Sequence, residues 1–106
     1  MADFGITYQG PMTFVLDGEL DIATVPSMTA ALGSSIGEGG PLTLDLSGLT
    51  FIDSSGVAAI LKAGNDHLPN GCVVLHGVHD GTKRVVDLMG VEKTTNIHIL
   101  PCVVAV

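Results

Sequence analysis

The sequence predicts an α/β fold: one domain over residues 1–106, with a mixed, mainly parallel β-sheet and helices packed against it. Three observations lead there. Strand and helix patterns alternate in the order ββαβαβαβ, and a strand, a helix and a second strand in one sheet form a right-handed crossover, which makes the later strands parallel. Those later strand segments are almost continuously apolar, as burial under helices demands. The first two segments are joined by Gly10 and Pro11, a hairpin signal that adds an antiparallel pair.

Taken in order, Ile6 to Gln9 and Met12 to Leu16 form short strands, and Gly18, Glu19, Leu20 and Asp21 are expected to turn. Val25, Met28, Leu32 and Ile36 recur at helical spacing, with Pro26 tolerated in the first turn, and Gly37 to Pro41 ends that helix. Leu42, Leu44 and Leu46, with Thr43 and Asp45 between them, alternate as a strand, after which Phe51 and Ile52 lead into a turn. A helix is expected from Ser54 to about Asn65: Val57, Ile60, Leu61 and Gly64 share one face, and Asp53 and Ser54 are both N-cap residue types. Pro69, Asn70 and Gly71 turn the chain into the apolar strand Cys72 to Leu75. The third helix spans Thr82 to Met89, with Asp80 or Thr82 as its cap and Gly90 as its stop, and Asn96 to Leu100 is the last strand.

Composition narrows the function. A chain of 106 residues can build one core, and 46% hydrophobic residues with a mean hydropathy of +0.52 exclude disorder. The longest apolar runs, Val57 to Leu61 and Cys102 to Val106, are too short to cross a bilayer. The N-terminus lacks the basic and apolar stretches of a secretory signal, so a cytoplasmic location is expected. Four Lys and Arg against eleven Asp and Glu give a net charge of -7, which repels a phosphate backbone, and one Tyr, three Phe and no Trp offer little for base stacking. The expected partners are therefore proteins with some basic surface, and no nucleic acid. His76 and His79 share H-x-x-H spacing, to which Cys72, His98 and Cys102 could be added, but neither C-x-x-C nor H-E-x-x-H is present. No metal or other cofactor is expected. Cys72 and Cys102, placed at opposite edges of the strands, read as reduced, partly buried thiols.

The run LTLDLSGLTFIDSSGVAAILKA, Leu42 to Ala63, sets a serine pair where a buried strand meets a helix, a place where a phosphate can be held. Taken alone, Ser54 reads as an ordinary helix cap. A serine hydrolase with Ser54 as nucleophile and His67, His76 or His79 as base is a second reading, but D-S-S-G lacks the G-x-S-x-G elbow. The segments DGELDIATVPSM (Asp17 to Met28), LTLDLSGLTFIDSSGVAAIL (Leu42 to Leu61) and TKRVVDLMGVEK (Thr82 to Lys93) together resemble the STAS domain family, specifically bacterial anti-sigma factor antagonists.

That resemblance implies a STAS-like fold and a partner switch rather than an enzyme. The phosphoacceptor it implies is Ser54, the serine after the motif aspartate. The unmodified protein would bind an anti-sigma factor that is also a serine kinase, phosphorylation would dissociate the pair, and a serine phosphatase would reset it. Asp53 is read as a cap with a recognition role, Ser55 as a first-turn residue, and Gly56 as a position that permits close approach of another backbone and keeps the surface low for a partner. Asp21 caps the next helix in this reading and joins the partner interface if the second strand runs parallel to the third; Glu19 and Leu20 are weaker members. A STAS accessory or ligand-binding module of a transporter or stress-signalling complex is the alternative. The family's further C-terminal helix has no counterpart before Val106, so a partly uncovered Cys102 to Val106 is expected to favour a weak homodimer.

Overall fold

A computed structural model describes residues 3–68, 71–91 and 96–101. Its elements are β1 (Phe4–Gly10), β2 (Thr13–Leu20), α1 (Val25–Leu32), β3 (Leu42–Ile52), α2 (Ser54–His67), β4 (Val73–Val78), α3 (Asp80–Leu88) and β5 (Ile97–Pro101), which is the predicted order. The five strands lie side by side as β1-β2-β3-β4-β5; β1 and β2 are antiparallel and every later pair is parallel.

One face of the sheet is the core. Leu16, Leu20, Leu42, Leu44, Leu46, Ile52 and Leu75 are fully buried together with Met28 and Leu32 of α1 and Val57 and Ile60 of α2. Each such side chain contributes about 1.5–3 kcal/mol when removed from water. The alternate residues Thr43, Asp45 and His76 are half-buried or exposed, so β3 keeps the apolar-in, polar-out pattern.

Several boundaries differ from expectation, those of β2 and β3 through contacts remote in sequence. β2 runs through Gly18, Glu19 and Leu20, which were expected to turn, because Gly18 pairs with Phe4 on one side and Leu49 on the other. Gly18 has φ +87°, and a Cβ there would lie 2.0 Å from the Asp3 carbonyl oxygen, so only glycine keeps the strand continuous. β3 is 11 residues long and passes through Ser47 and Gly48, where a register shift opposite Val15/Asp17 absorbs the interruption. α1 stops at Leu32, one turn short of Ile36, although Ile36 still packs against the core. α2 extends to His67, and β4 runs from Val73 to Val78, past Leu75.

The cap of α3 is His79, not Asp80 or Thr82. Its Nδ1 accepts the Gly81 N–H at 3.0 Å, and the Thr82 hydroxyl accepts the His79 N–H at 3.4 Å. Cys72 is half-buried and free, while Cys102 and the tail on which self-association was expected to depend lie outside the described residues.

At the end of α2, His67 is completely buried and ties down the segment between α1 and β3. The Gly37 N–H donates to Nδ1 at 2.9 Å, which leaves Nε2 to carry the proton and donate to the Gly40 carbonyl at 2.8 Å. Among the described residues, no helix is long and apolar enough to cross a membrane.

Candidate functional site

The site forms where β2 and β3 end together. Leu20 and Ile52 are the last register pair of the two strands, and the Asp53 N–H donates to the Leu20 carbonyl at 3.2 Å. Asp53 then leaves the strand with φ -113° and ψ -175°, and its Oδ1 accepts the Gly56 N–H at 3.1 Å. This carboxylate is the N-cap of α2, satisfying one of the donors that a helix start leaves open. Asp53 therefore takes the cap, and Ser54 becomes the first helical residue.

Ser54 is exposed, and its hydroxyl makes no hydrogen bond among the described residues. Ser55 is half-buried and faces a groove of about 390 Å³ between α1 and α2, walled by Met28, Leu32, Ala59 and Ala63. Gly56 is buried, which corrects its reading as a low point of the surface. A Cβ there would stand 2.8 Å from Ile52 Cγ1 and from the Leu20 carbonyl oxygen, so Gly56 is where α2 seats on the ends of β2 and β3.

Asp21 follows the end of β2 directly and does not cap α1. The N-cap of α1 is Thr24, which makes no side-chain cap bond. The two residues organise the loop instead: Asp21 Oδ1 accepts the N–H groups of Ala23 at 3.0 Å and Thr24 at 3.1 Å, while Thr24 Oγ1 accepts the Asp21 N–H at 2.9 Å and donates to the Glu19 carbonyl at 2.8 Å. Asp and Thr three residues apart were the available signal for this turn. Asp21, Asp53, Ser54 and Ser55 thus gather at one end of the sheet, with Glu19 beside them.

The strand register brings the carboxylates of Glu19, Asp21 and Asp53 to the end of the sheet where Ser54 stands, and Lys62 lines the same groove as Ser55. Lys62 and Lys83 pair with Asp66 and Asp87 four residues along their own helices, at 2.7 and 2.5 Å. Asp45, on the outer face of the sheet, is set apart. Partial burial pushes its carboxyl upward, but the Ser47 N–H at 2.9 Å, the Ser47 hydroxyl and the His76 imidazole outweigh that and hold it below the ordinary carboxylate value.

The histidines are employed elsewhere. His67 is strapped to Gly37 and Gly40, His79 caps α3 and its Nε2 lies 2.7 Å from the Leu49 carbonyl oxygen, and His76 Nδ1 lies 3.9 Å from Asp45 Oδ1. None of these three is hydrogen-bonded to Ser54 among the described residues. No cluster of three or more metal-ligating side chains occurs among them either.

Residues 6–100 match the STAS domain. The chain belongs to the STAS domain family. Two solved structures share the fold of this STAS domain. A crystal structure of an anti-sigma factor antagonist from Mycobacterium paratuberculosis aligns with a TM-score of 0.73 and 21% identity, covering 92% of this chain and 86% of that one. The anti-sigma factor antagonist SpoIIAA in its unphosphorylated form aligns with a TM-score of 0.69 and 21% identity, covering 92% and 88%.

Proposed function

We propose that this STAS domain is an anti-sigma factor antagonist acting in the cytoplasm: unmodified, it binds an anti-sigma factor that is also a serine kinase, and phosphorylation of Ser54 ends the complex. The observation that carries the reading is the Ser54 hydroxyl, exposed and uncommitted at the first position of α2 while Asp53 alone takes the cap. Two proteins sharing the fold are anti-sigma factor antagonists, one of them solved in an unphosphorylated form, which supports the assignment. In this reading the chain is a substrate and not a catalyst.

The chemistry is ordinary phosphoryl transfer. The Ser54 oxygen bonds to the γ-phosphorus of ATP, the bond from that phosphorus to the β–γ bridging oxygen breaks, ADP leaves, and the hydroxyl proton passes to a base of the kinase. A serine phosphatase reverses the state by hydrolysing the ester.

The phosphate adds about -1.5 to -2 charge at a helix start, where the dipole and open N–H groups favour it. The neighbouring Asp53 carboxylate opposes it, so the net change within the domain is small and the fold persists. Its effect falls on the partner. A dianion wedged into a contact made for a hydroxyl, facing the phosphates of the nucleotide just used, costs about 3 kcal/mol, roughly a hundredfold in affinity.

The test is to mix the protein with an anti-sigma factor kinase and ATP, map the phosphate by mass spectrometry and measure binding. Phosphate is expected on Ser54 alone; Ser54→Ala is expected to stay bound and Ser54→Asp to bind poorly. Equal affinity of the phosphorylated and unmodified forms overturns the proposal. Amide spectra are expected to shift only near the start of α2, and shifts spread through the core would overturn a switch without refolding.

A further inference from the structure

At the Ser54 end of the sheet stands an exposed apolar residue that the phosphoryl chemistry does not use. Ile22 is the second residue beyond Leu20, just as Ser54 is the second beyond Ile52, and Leu20 and Ile52 are paired. Adjacent strands lie about 4.8 Å apart, so the two chains leave the sheet side by side and carry both residues at the same end. Ile22 is 77% exposed. A single exposed isoleucine is ordinary; what surrounds this one is not.

The hydrogen bonds of Asp21 and Thr24 brace the loop on both sides of Ile22, so its backbone is held in place before any partner arrives. Little ordering entropy is then lost on docking. Phe51, 45% exposed and in register with Glu19, is a second exposed apolar residue at this end of the sheet. Around them stand the carboxylates of Glu19, Asp21 and Asp53, and the first 61 residues contain seven acidic side chains and no Lys or Arg. An apolar centre inside an acidic rim is complementary to an apolar pocket edged by arginine or lysine.

We propose that Ile22, flanked by Phe51, is the apolar anchor by which this domain docks on its protein partner, and that the Glu19, Asp21 and Asp53 carboxylates select a partner with a basic rim. The inference rests on the anti-sigma factor antagonist reading and supplies what that reading leaves open: where the affinity resides. Ser54 reports the state, and Ile22 supplies the grip. The phosphate acts by prising the anchor from its pocket.

The experiment measures binding of the full chain to a purified anti-sigma factor serine kinase with ADP, for wild type, Ile22→Ala, Ile22→Asp and Phe51→Ala. Ile22→Ala is expected to weaken binding roughly 10- to 30-fold, Ile22→Asp more than about 100-fold and Phe51→Ala about fivefold, all with unchanged thermal midpoints. Raising the salt concentration is expected to weaken wild type more than Asp21→Asn. If wild type binds and is phosphorylated on Ser54 while both Ile22 variants bind within twofold of it, the anchor is refuted and the functional reading stands. If wild type neither binds nor is phosphorylated there, the functional reading falls, and the anchor with it.

Discussion

The end of the sheet where β2 and β3 finish and the end where β3 and β4 begin are built by opposite rules. At the first, Ser54 and Ile22 are exposed, and the carboxylates of Glu19, Asp21 and Asp53 gather at the same end. At the second, a fully buried imidazole spends both nitrogens on the backbone of Gly37 and Gly40, and a Cβ on Gly71 would lie 2.0 Å from the Gly40 carbonyl oxygen. α2 joins the two ends: its first residue is free to be modified and its last is locked. A chemical change at one terminus of a helix can stay local only if the helix is held elsewhere, and His67 with Ile60 and Val57 does the holding.

The sharpest way to break that contrast is His67→Ala. It opens a cavity and leaves the Gly37 N–H and the Gly40 carbonyl without their partner, so a loss of about 3 kcal/mol in urea unfolding is expected. Under the proposed function, affinity for an anti-sigma factor serine kinase at low temperature should stay within about twofold; a large binding defect in the folded variant would show that the two ends are coupled. A smaller effect is expected from Asp53→Ala, which removes the bond to the Gly56 N–H and costs about 1 kcal/mol of stability. Hydrogen exchange should localise that loss to the first turn of α2, in contrast to the broad loss from His67→Ala.

The smallest effect belongs to Asp45, outside both ends. Its carboxyl titrates below the ordinary value of 3.8, so the stability it contributes is present above that pH and is lost as pH falls through its lowered value. The difference in unfolding free energy from urea titration between wild type and Asp45→Asn should be under about 1 kcal/mol at pH 6 and shrink below pH 4. A difference that grows in acid would reverse the assigned sign.

Much of the architecture could be read from residues alone. The spacing of Val57, Ile60, Leu61 and Gly64 located α2, and the alternation of Leu42, Leu44 and Leu46 located β3, because those patterns reflect burial against a single layer. The misplaced boundaries share one cause. Gly18 and the Ser47–Gly48 pair look like chain breaks until a neighbouring strand supplies hydrogen bonds, and pairing partners about 30 residues away leave no local trace. His79 was missed as a cap because imidazole is an uncommon one, and the close backbone approach expected at Gly56 is met by Leu20, although the residue is buried there rather than a low point of the surface.

The sequence by itself determined the element order, the acidic character of the first 61 residues and the serine pair at the start of a helix, since each depends on residue type and short-range spacing. Tertiary structure alone decided that Asp53 takes the cap while Ser54 stays uncommitted, that Ile22 leaves the sheet at the same end, and that His67 closes the opposite end. Those outcomes depend on strand register and on helix seating, which bring together atoms separated by tens of residues, and no local preference encodes such distances.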